Sequence, residues 1–144
     1  MTALLPLHAA RVLGANRVLA TGDDTGGRYS LYRIDLDARS GGAEPHFHTR
    51  FAESFTVLSG EVALYDGQAW VRAVTGDHLF VPERGVHGFR NDSDAPAAML
   101  MMSTPGAPRE DYFAELLEVA GRELSPQEWT ALYARHDQVM VEEA

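Results

Sequence analysis

The sequence predicts an all-β fold, a sandwich or barrel of short strands, with a pair of α-helices packed on its outside at the C-terminal end. Two patterns carry this. From about Arg17 to Ser103, short apolar runs recur every eight to twelve residues or so between turn residues, as they do in sandwiches and barrels. After Thr104-Pro-Gly106 the apolar period lengthens to that of a helix. One domain over 1–144 is expected, with the barrel at about 15–104 and the helices at about 108–136.

The predicted strands are Arg17 to Ala20, Tyr29 to Leu36, Phe55 to Leu58, Val62 to Tyr65, Trp70 to Val74, Leu79 to Val81, His87 to Asn91 and Ala97 to Met102. Asp66-Gly67 reads as a two-residue type I′ hairpin, because Asp and Gly tolerate the positive φ that this turn demands. Ser59-Gly60, Gly76-Asp77, Asp92-Ser-Asp94 and Gly26-Gly27 mark further turns. Tyr112, Phe113, Leu116, Leu117 and Ala120 fall on one stripe of a first helix that Gly121 ends. Ser125-Pro-Gln-Glu128 opens a second, with serine at the N-cap, proline at the first helical position and a glutamate that completes a capping box. Trp129, Leu132 and Tyr133 are its apolar face.

Composition narrows the function. Twelve Lys and Arg against 21 Asp and Glu give a formal charge of -9, spread along the chain. Such a surface repels phosphate backbones and anionic lipid, so neither nucleic acid nor membrane is expected as a partner. With no cysteine, disulfides, thiolate nucleophiles and sulfur ligands are excluded. Any metal must be held by nitrogen and oxygen. The opening residues lack a basic segment before their apolar run, which Pro6 interrupts, and no stretch reads as a membrane span; a cytoplasmic location is expected. No GxxxxGK[ST] phosphate loop and no serine-hydrolase elbow occurs.

The chemistry concentrates in two segments. In Glu44-Pro-His46-Phe-His48-Thr-Arg-Phe-Ala-Glu53, the two histidines stand two apart, so on a strand their imidazoles share a face and can converge on one ion. A turn after His48 would return the chain in the next strand and bring Glu53 alongside, so that three ligands come from one hairpin. In Gly76-Asp-His-Leu-Phe-Val-Pro82-Glu-Arg-Gly85-Val-His87, a third histidine heads another strand after a proline and glycine turn. Imidazole nitrogen with one carboxylate suits Fe(II), Mn, Ni, Co, Cu or Zn, with positions left open for substrate.

Together the two segments resemble the paired motifs of the cupin superfamily. The HxH pair, the glutamate five residues after its second histidine and Gly60 seven further on are in register, as are Gly76, Pro82, His87 and Asn91. Two departures stand out: Arg84 occupies the usual position of a turn glycine, with Gly85 one residue late, and no glycine stands six before His46. The resemblance spans roughly Gly41 to Ser103. The run from Pro108 to Glu115 is similar, less closely, to the tail of bacterial quercetin dioxygenase-like cupins.

The resemblance implies a cupin jelly-roll β-barrel holding one divalent transition metal through His46, His48, Glu53 and His87, and a homodimer. It also implies that Glu53 takes a substrate hydroxyl proton, making it the candidate catalytic residue. The expected activity is a metal-dependent dioxygenase acting on a small aromatic, flavonol-like or polyketide-like substrate. The alternatives are a non-oxidative isomerase, cyclase or decarboxylase, and a barrel that binds a small ligand without catalysis. Phe47, Phe51, Phe55, Phe80 and Phe89 favour an uncharged, ring-bearing substrate over a sugar phosphate. Met99, Met101 and Met102 with Phe80 and Phe89 could line a flat pocket, although such a cluster is more often barrel core. His8, His78 and His136 fit no motif and are read as structural or surface residues.

Overall fold

The computed structural model describes residues 2–141 and consists of two antiparallel sheets followed by two helices. The strands are β1 (Arg11–Leu13), β2 (Asn16–Ala20), β3 (Ser30–Leu36), β4 (Ser40–Phe47), β5 (Ala52–Ser59), β6 (Glu61–Tyr65), β7 (Trp70–Val74), β8 (His78–Val81), β9 (His87–Asn91), β10 (Ala97–Thr104) and β11 (Val139–Met140). One sheet runs β1-β2-β3-β10-β5-β8 and the other β11-β4-β9-β6-β7. This is the expected jelly-roll barrel with its helical pair, α1 (Arg109–Val119) and α2 (Pro126–Arg135).

Alternation along the strands builds the core. In β3 every second residue is buried, so Tyr32, Ile34 and Leu36 point inward while Leu31, Arg33 and Asp35 are half-buried on the other face. Phe55, Val57, Val62, Leu64, Met99 and Met101 meet them from the facing strands. Each such side chain contributes roughly 1.5–3 kcal/mol by leaving water. Met99 and Met101 are therefore core, as the commoner reading of that cluster holds. Phe80 is not part of it: β8 is an edge strand, and Phe80 lies on its outer side, 63% exposed.

Two turns depart from expectation. Asp66-Gly67 does not form a two-residue turn. Tyr65 pairs with Trp70, leaving a four-residue loop in which the Asp66 carboxylate accepts the backbone N–H groups of Gln68 and Ala69, both at 2.9 Å. That side-chain turn uses the aspartate without needing the I′ geometry. The segment between His48 and Glu53 is not a hairpin either. β4 pairs with β9 and β11, whereas β5 pairs with β10 and β8, so the chain crosses from one sheet to the other. Sequence alternation cannot separate a return within a sheet from a crossing between sheets.

β4 carries no simple apolar run, because Gly41, Gly42 and Pro45 interrupt it and two bulges break its register with β9. Gly42 is required for the close approach of β9: a Cβ there would fall 2.4 Å from the Phe89 ring and 2.5 Å from the Phe89 carbonyl oxygen. In the helices, the capping box of Ser125 and Glu128 is present, and Leu132 is buried. On the α1 stripe Tyr112 is buried and Phe113 packs edge-on against Tyr32 at 5.4 Å, but Leu117 is half exposed. Gly121 takes a positive φ after the helix, as a terminating glycine should.

Arg84 preserves the turn before His87 by adopting the left-handed conformation itself, with φ of 66°. Its N–H donates to the His48 carbonyl at 2.7 Å, and the Gly85 N–H to the Pro82 carbonyl at 2.9 Å. A side chain in that region costs about 1–2 kcal/mol, part of which glycine returns through its greater freedom in the unfolded chain. Arg84→Gly is therefore expected to raise the free energy of unfolding by roughly 0.5 kcal/mol in urea titrations. A loss of about 1 kcal/mol or more would show that the guanidinium, not the backbone, secures this turn.

Candidate metal centre

His46 and His87 face each other as a register pair of β4 and β9. Glu53 comes from β5 in the opposite sheet, and His48 lies just past β4 at the start of the crossing. The crossing is what brings the glutamate to the histidines. All four residues are buried, between 1% and 3% exposed, and one donor atom from each lies within 4.8 Å of the others. The imidazole centroids are 4.3 to 5.2 Å apart.

Backbone carbonyls orient all three imidazoles. His46 Nδ1 is 2.7 Å from the Glu44 carbonyl oxygen, His48 Nδ1 is 2.7 Å from that of Asp137, and His87 Nδ1 is 2.9 Å from that of Gly85. A carbonyl only accepts, so each Nδ1 carries hydrogen and each Nε2 of the neutral ring presents a lone pair. Those lone pairs meet a carboxylate: Glu53 Oε1 lies 2.6 Å from His48 Nε2 and 3.1 Å from His87 Nε2. Negative charge facing lone pairs at this distance requires a positive species between them, a proton or a metal ion. His48 Nε2 and Glu53 Oε2 have no hydrogen-bond partner although both are buried, as is Ser103 Oγ on the residue paired with Glu53 in β10. Unsatisfied donors and acceptors, an inward nitrogen set and an oxygen ligand fit a divalent transition ion.

Burial lowers the His46 pKa from 6.5 to about 3, and the neighbouring His87 and His48 push the same way. For Glu53, burial favours the neutral acid, but the close approach of the His48 and His87 imidazoles outweighs it and holds the carboxyl well below its usual range. The cluster is built to be a neutral imidazole set around an ionised carboxylate, the protonation state that a metal needs.

The cover over this cluster lies outside the two sequence motifs. Phe51 is buried and stacks on His48, with centroids 4.3 Å apart and planes at 22°. β11 lies along His46 and Phe47, and the Asp137 carboxylate accepts the N–H groups of Thr49 and Arg50 and the Thr49 hydroxyl. Arg109, buried at the first position of α1, donates to the His136 carbonyl at 2.9 Å and to Gln138 Oε1 at 2.8 Å. One signal could have marked it: a cation in the first turn opposes the helix dipole and needs another reason to be there. Of the histidines outside the motifs, His136 is half-buried against Glu115 and Tyr112, and His78 bonds Thr56 at 2.8 Å.

Comparison with known proteins places the fold among relatives. A family model for the cupin domain matches residues 32–103. An uncharacterized protein of Aquifex aeolicus is 34% identical over 59 residues, which are 41% of this chain and 49% of that protein, so the match spans about half of the relative's length. A Silicibacter pomeroyi structure described as a sugar phosphate isomerase from a cupin superfamily is 25% identical, with a TM-score of 0.57 over 69% of this chain and 74% of that one. Two structures share the fold at lower identity. The polyketide cyclase RemF of Streptomyces resistomycificus has 20% identity and a TM-score of 0.61, covering 75% of this chain and 82% of its own. KdgF of a Halomonas species has 15% and 0.64, covering 76% and 99%.

The pH dependence of the metal-free protein follows from the shifted groups. Between about pH 6.5 and 3 the unfolded chain protonates the histidine at position 46 and the folded chain does not, so stability is full above the window and falls with pH inside it. Glu53, depressed on folding, acts in the same direction at lower pH. At roughly 1.4 kcal/mol per pH unit, His46 alone removes about 2 kcal/mol between pH 6.5 and pH 5. Chemical denaturation across that range is the check, and a flat profile would contradict a neutral, buried His46.

Proposed function

This chain belongs to the cupin family, and on that premise we propose that it is a metal-dependent enzyme acting on a small organic substrate at His46, His48, Glu53 and His87. The observation that carries the reading is the triple anchoring of Nδ1, which leaves all three Nε2 atoms to one buried cluster with the Glu53 carboxylate. A divalent ion bound there supplies a Lewis acid that lowers the pKa of a hydroxyl or enol group brought to it. His46, His48 and His87, with Glu53 through Oε1, would hold the ion. Glu53 keeps Oε1 directed at the imidazoles, while Oε2, which has no partner, is free to accept the substrate hydroxyl proton and return it to product.

Within this reading, the reaction proposed is oxidative cleavage, in which both atoms of dioxygen enter the substrate. A donor set of three imidazoles and one carboxylate without sulfur accommodates redox-capable ions, and Phe51 and Phe55 beside His48 and His87 give the low-dielectric surroundings in which such charge is strongest. A non-oxidative isomerase or cyclase is the second reading. It is supported by the 25% identity to the Silicibacter pomeroyi protein described as a sugar phosphate isomerase. A homodimer, on the resemblance of the motifs, and a cytoplasmic location remain part of the proposal.

Oxygen uptake by metal-loaded protein, screened with flavonol-like and polyketide-like compounds, separates the two: turnover without oxygen consumption would replace the first reading with the second. His48→Ala is expected to lower metal affinity at least ~100-fold, and full metal occupancy in that variant would overturn the ligand assignment. Glu53→Gln, nearly isosteric, is expected to bind metal more weakly and to lose ~100-fold or more in turnover. Unchanged turnover would remove the proton-transfer role.

A further inference from the structure

Beside the metal centre lies a cavity of about 250 Å³, lined by Arg50, Phe51, Pro105–Arg109 and Arg135–Asp137. None of the four metal-centre side chains reaches it. Phe51 forms the wall between, its ring stacked on His48 and lining the cavity.

The charges around this cavity do not balance. Arg109 is 4% exposed, yet its hydrogen-bond partners are neutral oxygens of His136 and Gln138, and its Nε has none. The guanidinium carbon sits 4.4 Å from the Tyr112 ring centre and 5.7 Å from that of Phe51. Among the described residues no carboxylate forms an ion pair with it. A buried cation with no carboxylate bonded to it is costly, and burial pulls the Arg109 pKa down against the through-space attraction of Glu53 and Asp137.

The other groups on the wall do not neutralise it. Arg135 and His136 are taken by Glu115. Asp137 is the one acid on the wall, and its carboxylate is engaged by Thr49 and Arg50. Arg50 is largely exposed and reaches Asp137 with its side chain only at 3.7 Å. The acids of the first turn of α1, Glu110 and Asp111, line a different cavity.

We propose that this cavity receives a small organic anion, a carboxylate or a phosphate ester, whose charge pairs with Arg109 and whose apolar body lies on Phe51. The proposal rests on the metal-centre reading for its role: the anion is the charged end of the substrate, and Phe51 is the side chain that moves to admit its reacting end. It keeps the ring-bearing substrate expected from the aromatic residues and replaces its neutrality with a negative charge.

Calorimetric titration of the full chain tests this with 3-phenylpropionate, phenyl phosphate and the neutral 3-phenylpropionamide, on metal-free and on zinc-loaded protein. At least one anion is expected to bind about ten-fold or more tightly than the amide, the scale of one charge-assisted hydrogen bond, and which anion does so identifies the charged group. Arg109→Gln should remove that preference. Arg50→Glu, on a side chain exposed enough not to disturb folding, should weaken the anion by about three-fold or more at low salt and leave the amide unchanged. Equal binding of amide and anions, or wild-type anion affinity in a folded Arg109→Gln protein, would overturn the proposal. If Arg109→Gln does not fold, Arg50→Glu and the acid-to-amide comparison decide. Anion preference persisting in a protein that takes up no zinc would uphold this inference and reject the metal centre; zinc uptake without anion preference would do the reverse.

Discussion

Three hydrogen bonds from imidazole Nδ1 to backbone carbonyl oxygens govern the site, and much of the fold serves to place those carbonyls. That of Glu44 is fixed within β4, where Gly42 admits β9 closely enough for His46 and His87 to pair. That of Gly85 depends on the turn in which Arg84 accepts a left-handed conformation. That of Asp137 arrives from the far end of the chain, on a residue whose own φ of 53° is one that aspartate tolerates better than most side chains. With the Nδ1 hydrogens committed, the tautomer is no longer free, and the Nε2 lone pairs face Glu53. The structure thereby sets lone pairs and negative charge together in a low-dielectric space, an arrangement that a cation stabilises.

The two sheets meet at that space. His46 and His87 belong to one and Glu53 to the other, so an ion shared by them would tie the halves of the barrel together. The C-terminal segment then closes the mouth, held by Arg109 through His136 and Gln138 and by Asp137 on the crossing loop. The same arginine is buried, with no carboxylate bonded to it among the described residues, on the wall of a cavity one aromatic ring away from His48. Positioning of the metal centre and recognition of a charged ligand are thus carried by neighbouring parts of one cover.

Legibility in the sequence followed the range of the interactions. Strands whose faces alternate strictly, such as β3 and β6, and the capping box at Ser125 depend on residues close in sequence and were readable from it. The HxH pair was readable because a two-residue spacing fixes the face whatever the strand pairs with. The crossing after His48 was not, since pairing partners are set by tertiary packing. Asp66-Gly67 misled because aspartate supports more than one turn, and Phe80 because an apolar residue on an edge strand can face outward. The orienting carbonyl of Asp137 lies 89 residues from His48, and β11 is two residues long. Arg109 left only the weak signal of a cation at a helix start.

The central claim is that these four side chains hold one ion, and metal analysis combined with X-ray absorption on the same sample tests it most directly. Metal-free protein reconstituted with Fe(II), Mn, Co, Ni or Zn is expected to retain close to one ion per chain, with a first shell of three imidazole nitrogens and a carboxylate oxygen at about 2.0–2.2 Å for zinc. A chain that takes up no ion from any of these solutions, or that holds one with fewer than three imidazoles in its shell, would contradict the account.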